Sequence, residues 1–131
     1  MATNDDTEQR RPKPVFWMAS SRKDLKKFPN GVRQTVGLAL FDAQTGGKHP
    51  DAKPLRGFQG AGVLEVVEDD NGSAFRAVYT VKFAGVVYVL HAFQKKSKRG
   101  VKTPKRDLDR IRVRLQRAEQ DYQQWRMTQG A

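Results

Sequence analysis

The chain has 131 residues, 37% of them apolar, which suits one domain with one core, and its formal net charge of +11 directs attention to polyanionic partners. It has no cysteine and two histidines, His49 and His91, far apart in sequence. Disulfides, thiolate catalysis and cysteine-bound zinc are therefore excluded, and no metal or other cofactor is expected. The apolar runs are too short to span a membrane and the start, MATNDDTEQRRPKP, is too polar for a signal peptide, so a cytoplasmic protein is expected.

Residues 1–13 lack apolar periodicity and are expected to form a disordered tail, with 14–131 as one ordered domain. Val15-Phe16-Trp17-Met18 reads as a short buried strand. Ser20 or Ser21 then caps a short helix that runs through Phe28 and stops at Pro29. A second helix follows Asn30, where Val32, Val36, Ala39 and Leu40 recur at helical spacing and Gly46-Gly47 ends the pattern. Residues 44–62 read as loop. Within it, Gly57-Phe58-Gln59-Gly60-Ala61-Gly62 has the wrong glycine order for a dinucleotide fingerprint and precedes a strand, and His49 lies in an ordinary Gly-Lys-His-Pro loop.

Three strand-like runs come next, 63–68, 75–83 and 86–93, separated by Asn71-Gly72 and Ala84-Gly85 as candidate hairpin turns. Thr103-Pro104 opens a last helix with Leu108, Ile111, Leu115, Ala118, Tyr122 and Trp125 as an apolar stripe that faces the body or a partner. The expected fold class is α+β: a small antiparallel sheet of about four strands, two N-terminal helices packed on one face, and a basic C-terminal helix. Between Lys95 and Arg117 eleven Lys or Arg residues and two acids leave +9 of the net +11.

With both turns as two-residue loops, Val78 falls opposite His91, Arg76 opposite Phe93 and Glu65 opposite Val78. One face then collects Glu65, Arg76, His91, Phe93 and Lys95. The other displays Leu64, Val66, Ala77, Tyr79, Val81, Phe83, Tyr88, Leu90 and Ala92 as a core surface for helices to cover. The charged face suits phosphodiester cleavage: a carboxylate or imidazole moves a proton, guanidinium stabilises charge on phosphate oxygens, and an aromatic stacks on a base. RNA brings its own nucleophile, the 2′-hydroxyl. The plainer reading of Arg76 is a structural ion bridge to Glu65, that of His91 a satisfied core histidine, and that of the lysine run a solvated surface.

K-P-L-R-G-F at 53–58, F-R-A-V-Y at 75–79, Y-V-L-H-A-F-Q-K-K-S at 88–97 and T-P at 103–104 before a basic helix carry a family resemblance. Over about residues 14–118 the chain resembles the phage-derived branch of the RelE/ParE toxin superfamily, close to the HigB-type toxins of bacterial toxin–antitoxin pairs. That resemblance implies a RelE-like fold, ribosome-dependent cleavage of mRNA without a metal, and neutralisation by a small antitoxin, often of helix-turn-helix type. It also implies Arg76, His91 and Glu65 as the catalytic set and Lys95 and Lys96 as a basic pair after the last strand; the concentrated charge and the aromatic edge add Lys53, Arg56, Phe93, Lys98 and Arg99 to the RNA grip. Two alternatives stay open, a gyrase inhibitor of the ParE kind and a non-catalytic phage nucleic-acid-binding module.

Overall fold

The computed structural model describes residues 11–58, 60, 62–95 and 103–129. In chain order the elements are β1 (Val15–Trp17), α1 (Ser21–Lys26), α2 (Asn30–Gln44), β2 (Ala52–Pro54), β3 (Val63–Asp70), β4 (Ser73–Thr80), β5 (Val87–Lys95) and α3 (Lys105–Gln129). The strands form one mixed sheet in the order β1-β5-β4-β3-β2. β3, β4 and β5 are an antiparallel meander, β2 adds to β3 antiparallel, and β1 runs parallel to β5 with Phe16 beside Tyr88. Five strands replace the expected four or so. The addition, β2, is three residues ending in proline, tolerated on a sheet edge but carrying no strand periodicity to read.

The Asn71-Gly72 turn forms as the sequence demands. Both residues have positive φ, 49° and 79°, which matches the twist of the flanking strands and sets Asp70 against Ser73 and Glu65 against Val78. The second turn differs. β4 ends at Thr80 and the chain passes through 81–86 before β5, so Ala84-Gly85 is not a two-residue loop. Val78 nevertheless pairs with His91 and Arg76 with Phe93, because β5 carries a bulge: Tyr79 pairs with Val89, and Leu90 is the extra residue. The bulge offsets the longer loop by one position.

Both faces of the sheet are covered. On one, Phe28 and the α2 residues Val32, Val36, Ala39, Leu40 and Ala43 pack on Val66, Phe75, Ala77, Tyr79, Val87, Val89 and Ala92. On the other, the α3 stripe of Ile111, Ala118 and Tyr122, with Leu108, Leu115 and Trp125, packs on Val63, Val78, Tyr88 and Leu90. The helix arrangement thus departs from expectation: α3 lies on the face that the sequence left open. Phe83, Tyr88 and Leu90 belong to this second core, shifted there by the longer loop and the bulge, and Val81 is exposed. Among the described residues no helix is long and apolar enough to cross a membrane.

Candidate active site

Arg76 sits mid-strand on β4, flanked by Val67 on β3 and Phe93 on β5, and its residue surface is only 5% exposed. A guanidinium cannot shed its charge at that depth, so the chain must surround it with acceptors. Its Nη1 lies 3.4 Å from Oε2 of Glu65 and donates to the Thr103 hydroxyl at 3.2 Å. Thr103, in the Thr-Pro pair that opens the way into α3, thus ties the segment before that helix to the sheet. Glu65, on the neighbouring strand β3, faces Lys53 across the β2–β3 ladder. Burial pushes its carboxyl above the ordinary 4.5, and the nearby Arg76 and Lys53 only partly oppose that rise. A carboxyl raised in this way exchanges protons more readily near neutrality.

These groups line a cleft of about 810 Å³ at the β2–β3 side of the sheet, where Lys53, Arg56 and Arg76 stand beside the carboxylates of Asp51, Glu65, Glu68 and Asp69. Leu55 and Phe58 are buried in the second core and pin the loop that presents Arg56. Arg112 of α3 stacks over the Phe58 ring at 5.0 Å, closing the loop from above.

His91 lies elsewhere. It is 3% exposed beneath α3, with Nε2 2.8 Å from Oδ1 of Asp107 and Nδ1 2.9 Å from Nη1 of Arg114. A guanidinium only donates, so Nδ1 accepts and Nε2 carries the proton donated to Asp107. The imidazole is neutral. Burial lowers its pKa below 6.5, Arg114 and Arg110 reinforce that, and Asp107 opposes it. Phe93 stacks on the ring at a centroid distance of 4.8 Å and an angle of 23°.

The structure therefore brings Lys53, Arg56, Glu65 and Arg76 to one cleft. His91, Phe93 and Lys95 share the sheet face but do not line that cleft; Lys95 ends β5 opposite Ala74. Lys96, Lys98 and Arg99 lie outside the described residues. Sequence reasoning missed Asp107 and Arg114, the two groups that fix His91. Their signal is their spacing: Asp107, Arg114 and Asp121 stand seven apart beside the apolar stripe, and each meets β5. Asp107 takes His91, Arg114 donates to the Leu90 carbonyl at 2.9 Å, and Asp121 accepts from the Tyr88 hydroxyl at 2.7 Å.

Fold and site define a small α+β protein with a guanidinium–carboxylate pair, its arginine buried, in a cleft of mixed charge. The family model described as phage derived protein Gp49-like (DUF891) matches residues 23–116, and the chain belongs to that family. Among solved structures, the toxin–antitoxin complex RelBE2 from Mycobacterium tuberculosis is similar at 24% identity and a TM-score of 0.41, over 66% of this chain and 94% of that one. No curated protein matches the chain.

Proposed function

We propose that this Gp49-like protein is the toxin of a toxin–antitoxin pair, of the RelE/ParE superfamily and its HigB-like branch, and that it cuts mRNA on the ribosome. The observation that carries this reading is the pairing of Arg76 with Glu65, 3.4 Å apart, inside a cleft that also presents Lys53 and Arg56 beside a rim of Asp51, Glu68 and Asp69. An ion bridge with a purely structural role needs no such opening. Arg76 comes from the F-R-A-V-Y strand, and Lys53 and Arg56 from K-P-L-R-G-F, two of the motifs that carry the family resemblance.

In the proposed reaction Glu65 takes the proton of an RNA 2′-hydroxyl, and the O2′ attacks the adjacent phosphorus. The new P–O2′ bond forms as the P–O5′ bond breaks, and the departing 5′-oxygen takes a proton from solvent. The products are a 2′,3′-cyclic phosphate and a 5′-hydroxyl. Arg76 and Lys53 offset the charge that builds on the non-bridging oxygens. Arg56 and Lys95, with Lys96, Lys98 and Arg99 beyond the described residues, hold the backbone. His91 is assigned a positioning role, since both its ring nitrogens are engaged; it sets Phe93, which orients the neighbouring base. A small antitoxin of the helix-turn-helix type is the proposed partner.

Glu65→Gln keeps shape while removing the base. On programmed ribosomes it should lower the mRNA cleavage rate by about 100-fold or more with thermal stability retained. Cleavage at the wild-type rate would remove Glu65 from the reaction.

A further inference from the structure

A second hollow, of about 340 Å³, lies between the β1–α1 turn and the outer flank of α3, lined by Ala19, Asp109, Arg110, Val113, Arg114 and Arg117. It shares no residue with the cleft. Positions 110, 114 and 117 fall on one helix face, so three arginine side chains line the hollow together. Neither Arg110 nor Arg117 has an ion-pair partner among the described residues, and the one carboxylate in the lining, Asp109, is paired with Arg112 at 3.6 Å.

Arg114 is the built part of this site. Its Nη1 is held from below by the Leu90 carbonyl and by Nδ1 of His91. Its Nε and Nη2 make no hydrogen bond among the described residues and are not enclosed. Those two nitrogens form the edge that binds two oxygens of one phosphate. The opposite wall is fixed as well. Ala19 is held at φ 50°, a left-handed conformation unfavourable for alanine, by the Met18 amide on the Val89 carbonyl and the Ser21 amide on the Met18 carbonyl.

We propose that this hollow is a second phosphate-binding site, in which Arg110, Arg114 and Arg117 hold a phosphodiester of an RNA chain away from the reacting one. The inference rests on the RNA reading under Proposed function and deepens it: the protein would grip its target at two separate points. RNA is favoured over an acidic peptide because the three arginines belong to a +9 segment that runs on from the end of β5, a charge density that suits a polyphosphate chain.

The test uses the full chain and fluorescence anisotropy with a labelled short single-stranded RNA and, separately, a labelled polyglutamate peptide. The double variant Arg110→Gln with Arg117→Gln alters exposed side chains only, so its melting temperature should equal that of the wild type. Its RNA affinity should fall about tenfold at low salt, and the slope of log affinity against log salt should become shallower by about 1.4, as for two lost phosphate contacts. Unchanged RNA affinity and slope beside a wild type that binds RNA would overturn the second site and leave the cleft reading standing. Loss of polyglutamate binding alone would overturn it too, since the hollow would then serve an acidic protein. A wild type with no RNA affinity would overturn the RNA reading and the second site together.

Discussion

A neutral imidazole locked between a carboxylate and a guanidinium leaves a pH signature. The folded pKa of His91 lies below 6.5, so its contribution to stability is fully present above 6.5 and is lost as pH falls from there toward the folded value, where the unfolded chain binds the proton more readily. Asp107, Arg114 and Arg110 are the charged groups that act on it. The melting temperature of the wild type should therefore fall more steeply than that of His91→Gln between about pH 7 and pH 5. Glu65 acts in the opposite sense, since its pKa is raised and stability declines as pH rises from 4.5 through its folded value, but it is common to both proteins and cancels in the comparison. Parallel melting curves would mean that His91 is not held neutral. The residue types at this site were legible in the sequence, and so was the meeting of Glu65 with Arg76. The burial of His91 was not, because a strand shows which side chains share a face but not what covers it.

At the scale of elements, α3 decides the architecture. Its stripe of Leu108, Ile111, Leu115, Ala118, Tyr122 and Trp125 was readable as a buried face, but periodicity does not say which sheet face it meets. The polar residues at 107, 114 and 121 give that answer, each bonded to β5. A test of the packing is Ile111→Ala, at a fully buried position in the centre of the second core. It should cost about 2–5 kcal/mol in denaturant unfolding; a loss under about 0.5 kcal/mol would match a surface position and argue that α3 does not lie on this face. The hairpins show the limits of turn reading from another side. Asn71-Gly72 was legible because both residues must adopt positive φ, whereas Ala84-Gly85 resembled a turn and sits inside a longer connection. The right pairing of Val78 with His91 survived only because the Leu90 bulge added the residue that the longer loop had displaced. Neither a bulge nor a three-residue edge strand such as β2 leaves a periodic trace.

Over the whole molecule, charge and shape divide the work. The net +11 is concentrated near the end of β5 and along α3, while the cleft that holds Arg76 and Glu65 opens beside β2 and β3. The sheet's second face thus carries the proposed reacting pair at one side of α3 and the arginine hollow at another, with Asp107, His91 and Arg114 bonded in series beneath the helix. Such an arrangement suits a partner with many phosphates and one scissile bond. The most direct measurement is primer-extension mapping of mRNA ends in cells after induced expression. Wild-type protein should produce new ends inside translated frames within minutes of induction, and Glu65→Gln at equal protein levels should not. Growth arrest by the wild type with no new mRNA ends would contradict mRNA cleavage, placing the toxic action on another target.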